Sequence, residues 1–274
     1  MDDQGTAPHL SRITIYPIKS LDSTEREQSE VVEGGALSGD RAFAIRDDEG
    51  RYVNGKRTPD VHRLRTEFDD DLRAVTVREE GTDEAETFPL DGDRGSLETY
   101  LGAYFGYPVT VDRDSAGGFP DDTAASGPTI VSTATLREVA SWFPGIDAEG
   151  MRRRLRANLE VGGVPPFWED RLYADREHCV SFAIGSVTFE GVNPCRRCVV
   201  PSRDPATGEA YEGFNRTFVE RREATLPSWA NEAWFDGFFR LMVNTRVPES
   251  ERGREIAVGD EVTILGERAL EAAD

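Results

Sequence analysis

Short stretches of alternating apolar and polar residues, each ended by a turn sequence, recur along this chain. Leu10, Ile13 and Ile15 fit one strand, and "LRAVTVREEGTDEAETFPL" predicts a hairpin that turns at Glu-Gly. Further strands are predicted at "CVSFAIG", "VTFEGV" and "LRANLEV", and a second hairpin at "EIAVGDEVTIL", with its turn at Gly259–Asp260. Because side chains alternate between the two faces of a strand, each stretch can bury one face. The pattern predicts a mostly β fold.

Helical spacing interrupts the strands at a few places. "SLETYLGAYFG" predicts a helix that stops at Gly106, "TATLREVASWF" a helix with Thr133 as its N-cap, and "RTFVERREA" a short third helix. Residues 114–128, "DSAGGFPDDTAASGP", are rich in Gly, Ser, Asp and Pro and form the best candidate for a domain boundary. We therefore expect an α+β chain, mostly β, with barrel-like units over residues 8–113 and 129–266 joined by this linker.

The charge balance of the chain is strongly acidic. It contains 52 acidic and 32 basic residues, for a formal net charge of -20, and its two lysines are Lys19 and Lys56. Such a chain is not expected to bind nucleic acid or anionic lipid nonspecifically. The composition favours a protein from a salt-filled, halophilic cytoplasm. An acidic mesophilic protein encoded by GC-rich DNA is the alternative.

The apolar content gives no indication of a membrane span or a secretion signal. No apolar run approaches the roughly 18 residues that would span a bilayer. The N-terminal stretch "MDDQGTAPHLSR" has neither the basic region nor the apolar region of a secretory leader. With three cysteines, a disulfide framework is not expected. We expect a cytoplasmic protein without a membrane partner, and we expect it to be a monomer.

Cys195 and Cys198 lie three residues apart around two arginines in "GVNPCRRCVVPSRDPATGE". A zinc site needs four ligands, but His178 and Cys179 are adjacent in a predicted strand and would point to opposite faces. An iron–sulfur cluster needs four thiolates, and a dithiol redox pair usually precedes a helix rather than a loop with two prolines. Two interpretations are favoured over these. The cysteines are small and inert in a turn, or one thiolate binds a soft transition metal carried by an anionic cofactor.

An anionic cofactor requires cations elsewhere in the chain. "YPIKS" places Lys19 just past a strand, and "GDRAFAI" places Arg41 at the start of the next one. Arginine can hold phosphate through two parallel hydrogen bonds. If "MRRRLRANLEV" forms a strand, polar side chains share one of its faces. Those side chains are Arg152, Arg154, Arg156 and Asn158. A solvated strand edge is the alternative explanation for this run.

These motifs resemble, in the same order, those of MOSC-domain proteins with an N-terminal β-barrel, the group that contains the mitochondrial amidoxime-reducing component and its bacterial relatives. The matching stretches are "YPIKS", "GDRAFAI", "LRANLEV", "CRRC" with "DPATGE", and "VGDEVTIL". The resemblance implies an N-terminal MOSC-type β-barrel domain over residues 8–113 and a MOSC domain over residues 129–266. It also implies a mononuclear molybdenum centre on a pterin dithiolene, the molybdenum-molybdopterin cofactor, bound between the barrels.

The resemblance also implies roles for particular residues. The metal-ligating and catalytic cysteine of the family corresponds to Cys198. The cofactor-binding positions correspond to Lys19, Ser20, Arg41, Arg156, Asn158 and Arg197.

The activity that the resemblance implies is the reduction of N-hydroxylated or N-oxygenated small molecules by a molybdenum-dependent oxidoreductase. No iron–sulfur module is expected after the barrel, so a separate donor protein of the ferredoxin, flavoprotein or cytochrome type would supply electrons. The alternative is a non-catalytic molybdenum-cofactor-binding or sulfur-carrier protein related to the C-terminal part of molybdenum cofactor sulfurase. A complete sulfurase is not expected, because no pyridoxal-phosphate domain is recognisable. A structural protein with a defunct site is the third possibility.

The halophilic interpretation predicts that salt stabilises the fold. A surface with a net charge near -20 repels itself, and molar salt reduces the range of that repulsion to about 3 Å. We expect a higher melting temperature in molar KCl than in dilute buffer. An unchanged or lower melting temperature in salt would remove the halophilic interpretation.

Overall fold

The computed structural model describes residues 7–270. Within that range the chain forms fifteen strands and four α-helices. The strands are β1 His9–Ile15, β2 Thr24–Arg26, β3 Gln28–Glu30, β4 Phe43–Asp47, β5 Leu64–Phe68, β6 Ala74–Glu79, β7 Ala85–Pro89, β8 Val109–Arg113, β9 Ile130–Ser132, β10 Leu159–Gly162, β11 His178–Ile184, β12 Val187–Arg196, β13 Arg240–Arg246, β14 Glu255–Ala257 and β15 Val262–Ala269. The helices are α1 Gly95–Phe105, α2 Thr133–Ser141, α3 Ala148–Leu155 and α4 Phe214–Ala224. The mostly β, α+β fold class is confirmed.

An eight-stranded sheet forms the larger unit, in the order β15-β11-β12-β13-β9-β10-β1-β2. The start of β1 also bonds to the segment before β15. Leu10 donates its N–H to the Asp260 carbonyl at 2.8 Å and accepts from the Gly259 N–H at 2.8 Å. These bonds close the sheet into a barrel, which removes its free edges along this seam. The first two strands of the chain therefore complete a barrel whose other six strands come from residues 130–269.

Apolar side chains of these strands fill the barrel. They belong to a buried cluster that includes Ile13, Leu159, Phe182, Phe189 and Val243, each fully buried. Phe182 and Phe189 face each other across the β11–β12 hairpin and stack with ring centroids 5.6 Å apart. Such rings bury large apolar areas, so they dominate the core energetics.

The smaller unit is built from two further sheets and α1. One sheet pairs β4 with β8, and the other has the order β5-β6-β7. The predicted hairpin over β6 and β7 is confirmed, with Ala74 opposite Pro89 and Val77 opposite Glu86. The predicted helix end is also confirmed: α1 stops at Gly106, which adopts the left-handed conformation that favours glycine. The domain boundary at residues 114–128 stays a prediction.

Three local predictions are wrong. Ser132, not Thr133, caps α2, because the Ser132 side chain accepts the Thr135 N–H. "EIAVGDEVTIL" is not a hairpin, since β14 pairs with β3 and β15 pairs with β11. The turn at Gly259 still forms, but its backbone bonds to β1 instead.

The third error concerns "MRRRLRANLEV", which was expected to be a strand. Met151–Leu155 instead form the last part of α3. Asp147 caps that helix by accepting the Gly150 N–H at 2.7 Å, and Arg156 ends it in the left-handed conformation. Strand β10 begins only at Leu159. The arginines therefore project around a helix end rather than along one strand face.

None of the helices within residues 7–270 is both long and apolar enough to cross a membrane.

A buried ionic cluster connects α4 to α2. Arg222 is fully buried and pairs with Asp170, which is 1% exposed. The neighbouring Glu169 is also fully buried and accepts a hydrogen bond from the Thr135 hydroxyl at 2.9 Å. Burial, together with the negative charge of Asp170, raises the pKa of Glu169 to about 7. A carboxyl in this position is protonated in the fold at mildly acidic pH.

This cluster predicts a pH dependence of stability. Between the ordinary Glu pKa of 4.5 and about 7, the unfolded chain releases the Glu169 proton while the folded chain retains it. The contribution of Glu169 to stability is therefore full below pH 4.5 and is lost as the pH rises. The unfolding free energy of Glu169→Gln, measured by urea denaturation, should fall less between pH 4.5 and pH 8 than that of the wild type. Glu223→Gln, on the exposed face of α4, is the control and should keep the wild-type pH profile. Equal profiles for Glu169→Gln and the wild type would contradict this assignment.

Candidate functional site

A cavity of about 850 Å³ lies where the two units meet. Its walls come from the segment after β1, the turn before β5, residues 117–129, the end of α3 and the loop that contains Cys198. Of the described residues, eleven lysines and arginines and five carboxylates line it. The cations are Lys19, Arg41, Lys56, Arg65, Arg153, Arg154, Arg156, Arg196, Arg197, Arg203 and Arg240. The cavity wall is thus mainly basic, whereas the chain as a whole is acidic, and both lysines of the chain lie in this wall.

All seven residues selected from the sequence line this one cavity. They are Lys19, Ser20, Arg41, Arg156, Asn158, Arg197 and Cys198. The first and the last of them, Lys19 and Cys198, are 179 positions apart in the sequence, so only the tertiary fold brings them together. Their roles stay predictions, but their common location is a structural fact.

Tyr16 organises two of the arginines. Its ring lies 4.0 Å from the Arg156 guanidinium and 5.4 Å from that of Arg41. Such cation–π contacts stabilise a charge that has left bulk water. Burial raises the pKa of Tyr16 to about 12, although the two arginines oppose this shift. The phenol therefore stays neutral, and its hydroxyl donates to the Ala157 carbonyl at 3.3 Å.

Arg156, like Arg153 of the same run, has no carboxylate partner within residues 7–270. Arg152 instead pairs with Glu160 and Glu149, and Arg154 with Asp204 at 3.3 Å. The prediction that these arginines share one face is therefore wrong for Arg152, which does not line the cavity. The left-handed turn at the end of α3 separates Arg156 from the others.

Arg41 is positioned by a network that includes Asn158. The Arg41 guanidinium donates to Asp40 and, at 3.4 Å, to the Asn158 side-chain oxygen. That oxygen also accepts from the N–H and the hydroxyl of Thr129, both at 3.2 Å, while its amide donates to the Thr14 carbonyl at 3.1 Å. Because its amide is occupied by protein groups, Asn158 acts here by joining β1 to β10 and orienting Arg41.

Lys19 and Ser20 follow β1 into the cavity wall. The Lys19 ammonium donates to the Phe119 carbonyl and to Asp121, both at 2.7 Å. Burial lowers the pKa of Lys19, while Asp121 opposes that shift. Burial would raise the pKa of Asp121, but the charge of Lys19 outweighs it and lowers that pKa to about 2. Ser20 adopts the left-handed conformation with φ 78°, which turns the chain at the cavity wall.

The cysteine loop leaves the end of β12. Arg197 donates to the Cys195 sulfur at 3.2 Å and to the Leu155 carbonyl at 2.8 Å, which ties the loop to the end of α3. Cys198 is half-buried, is a free thiol and lines the cavity. Cys179 is fully buried in β11 and is not part of the cavity wall. The two cysteines of the motif thus differ: Cys195 has a partner in Arg197, whereas Cys198 makes no hydrogen bond within the described chain.

The "DPATGE" stretch of the motif is structural. Asp204 accepts the N–H groups of Ala206 and Thr207 at 2.9 and 3.0 Å, which closes a tight loop. A Cβ at Gly208 would lie 2.6 Å from the Pro59 carbonyl oxygen, so glycine permits the close approach of the smaller unit. The motif therefore seals one wall of the cavity.

Sequence reasoning missed several residues in the wall, among them His62, Arg203 and Lys56. Burial and the positive charges of Arg156 and Arg203 lower the pKa of His62 to about 4. The His62 ring packs on Gly55, where a Cβ would lie 2.3 Å from its Nε2 atom. Lys56 had a visible signal, since it is one of two lysines in the chain. No such signal pointed to His62, because a lone histidine in a turn does not indicate which residues surround it in the fold.

Comparisons with known proteins agree with this architecture. Residues 7–98 match the family described as "MOSC N-terminal beta barrel domain", and residues 126–263, about half of the chain, match "MOSC domain". The chain belongs to the MOSC-domain family, with the N-terminal barrel domain in front. This confirms the resemblance inferred from the motifs.

Relatives include proteins named molybdenum cofactor sulfurase. The one from Caenorhabditis elegans is 26% identical over 231 residues, which cover 76% of this chain and 31% of that protein. The one from Homo sapiens is 21% identical over 268 residues, which cover 80% of this chain and 29% of that protein. The chain thus spans about 30% of the length of these relatives. The comparisons place it in a molybdenum-cofactor-related family.

The uncompensated charge of Arg156 predicts its importance for retaining an anionic ligand. Arg156→Glu would place a negative charge beside Tyr16 and should reduce the molybdenum and phosphate content of the purified protein at least tenfold, the effect of losing one charge-assisted hydrogen bond. Arg137→Glu, the same charge change on the exposed side of α2, should leave both contents unchanged. Wild-type molybdenum content in Arg156→Glu would show that this arginine does not hold the ligand.

Proposed function

We propose that this protein is a molybdenum-cofactor-binding oxidoreductase that reduces N-hydroxylated or N-oxygenated small molecules by two electrons, which a separate donor protein supplies. The observation that supports this proposal best is the position of Cys198. It is a free thiol in a cation-lined cavity, in a chain whose overall charge is -20.

The donor groups in the cavity fit a metal-carrying phosphorylated pterin. Arg156 has no carboxylate partner in the described residues, and Arg41 stands beside it across the Tyr16 ring. With Lys19 and Ser20, they would hold the phosphate. The sulfur of Cys198 is the soft donor that a transition metal of this kind prefers. When bound, the molybdenum would supply a two-electron redox couple and oxygen-atom transfer.

The chain's own residues position the reacting groups. Arg197 fixes the loop that presents Cys198 by bonding to Leu155 and Cys195. Asn158 holds Arg41 in place, and the neutral Tyr16 phenol supports the two guanidinium groups without competing for them. The turn that carries His62 supplies part of the cavity wall from the smaller unit.

A second candidate function is a non-catalytic cofactor-binding or sulfur-carrier role. The relatives named molybdenum cofactor sulfurase favour it, because about 30% of their length matches most of this chain. On this hypothesis Cys198 and the cations bind the same cofactor but no substrate is reduced. Purified protein that contains molybdenum yet reduces no N-hydroxylated compound with a chemical electron donor would favour this second function.

The two cysteines of the motif provide the sharpest test of the proposal. Cys198→Ala should abolish reduction of benzamidoxime and change the electron paramagnetic resonance signal of molybdenum, because a sulfur donor is lost. Cys195→Ala should retain the signal and lower the unfolding free energy by about 1–2 kcal/mol, since it loses a small partly buried side chain and one hydrogen bond. Equal effects of the two substitutions on the molybdenum signal would contradict the assignment of Cys198 as the ligand.

A further inference from the structure

Six of the eleven cations of the cavity form two groups. The first cation group, Lys19, Arg41 and Arg156, surrounds Tyr16 and Asp121. The second cation group consists of Arg65 on β5, Arg153 on α3 and Arg203 in the loop after Cys198. These three come from both units of the fold and line the same cavity.

Two members of the second cation group meet at one point of the wall. Arg65 and Arg153 donate to the same carbonyl oxygen, that of Pro205, at 3.0 and 3.3 Å. Arg203 lies two residues before Pro205 and donates to the Gly208 carbonyl at 3.0 Å. Two guanidinium groups on one neutral oxygen repel each other, and a carbonyl dipole offsets that repulsion only in part.

Carboxylates neutralise only one member of this group, Arg65. Arg65 pairs with Asp22 and Glu80 at 3.0 and 3.1 Å. Neither Arg153 nor Arg203 forms an ion pair with a carboxylate within residues 7–270, and the Nε atom of Arg203 is buried without a hydrogen-bond partner. In a chain with 52 acidic residues, two guanidinium groups of a cavity wall that bond to backbone carbonyls rather than carboxylates keep a positive charge that an anionic ligand can meet.

The positive field of the second group extends into the cavity. His62 lies in the same wall, and the charges of Arg156 from the first group and Arg203 from the second both lower its pKa. Their charges add to burial and keep this imidazole neutral. The first cation group suffices for one phosphate, because Arg41 and Arg156 offer several donors around it. The second group is therefore available to a different anionic group.

We propose that the second cation group binds an anionic substituent, a carboxylate or a phosphate, on the small molecule that this cavity accepts. The inference rests on the proposed reductase function and narrows its substrates to N-oxygenated compounds that carry an acid group. A positively charged cavity in an otherwise acidic protein also attracts such compounds from solution, whereas the rest of the surface repels them.

A matched pair of probes tests this substrate class: benzamidoxime, which is neutral, and 4-carboxybenzamidoxime, which carries one carboxylate. Binding of each to the purified protein is measured by isothermal titration calorimetry at low ionic strength, and reduction of each is measured as kcat/KM. We expect the carboxylate to be preferred about tenfold in both measurements, the effect of one charge-assisted hydrogen bond.

The preference should depend on the second cation group. Arg153→Gln should reduce the preference for the carboxylate, and Arg153→Gln combined with Arg203→Gln should reduce it to about one. Arg137→Gln removes a charge from the exposed side of α2, outside the cavity, and should retain the full preference. The single variant changes an exposed side chain, so it remains informative if the double variant folds poorly.

The outcomes separate this inference from the function on which it rests. Reduction of both probes without a preference would overturn the inference and leave the reductase proposal intact. Preferential, Arg153-dependent binding of the carboxylate without reduction would support the anion site and overturn the reductase proposal. Acid hydrolysis of the purified protein gives a third result. Stoichiometric release of a nucleoside monophosphate would assign the second cation group to an extended cofactor and overturn the substrate assignment.

Discussion

The pairing of β1 within the larger barrel is the constraint on which the site depends. This seven-residue strand bonds to β10 along one edge and to β2 and residues 259–260 along the other. It leaves the barrel at Tyr16, so the next four residues are fixed at the junction of the two units. Tyr16, Lys19 and Ser20 reach the cavity for this reason. Loss of the strand would open the barrel and would also remove this part of the cavity wall.

The cavity also shows how an acidic chain holds some of its cations without carboxylate partners. A buried guanidinium is costly unless its donors are occupied. Here backbone carbonyls and an aromatic ring satisfy many of them: Arg197 bonds to Leu155, Arg203 to Gly208, and Arg156 lies on Tyr16. Neutral partners hold these side chains in place without cancelling their charge. The positive field therefore remains available to a ligand, which is what an anionic cofactor and an acidic substrate require.

The family of the chain and the residues of its cavity together limit the chemistry of the protein, but they do not identify a substrate. Membership of the MOSC-domain family relates the chain to molybdenum cofactor proteins. Cys195 accepts a hydrogen bond from Arg197, whereas Cys198 lines the cavity without one, so the two thiols of the motif have different surroundings. The described residues contain no group of three or more His, Cys, Asp or Glu side chains that could hold a metal ion.

Sequence patterns alone determined the strand-rich fold, the β6–β7 hairpin, the end of α1 at Gly106 and the residues of the cavity that lie in recognisable motifs. The fold class, the hairpin and the helix end depend on neighbours in the chain, namely alternation, turn residues and helix caps, so they can be predicted locally. The cavity residues were selected through the resemblance of their motifs to a family. Local reasoning failed where partners distant in sequence decided the outcome. The sequence of residues 255–265 is typical of a hairpin, but β14 pairs with β3 and β15 pairs with β11 instead of with each other. The arginine run looks like a strand, but Asp147 caps a helix there and Arg156 ends it. His62 and Arg203 meet only because the Gly208 loop lets the smaller unit pack against it, and no spacing in the sequence records that contact.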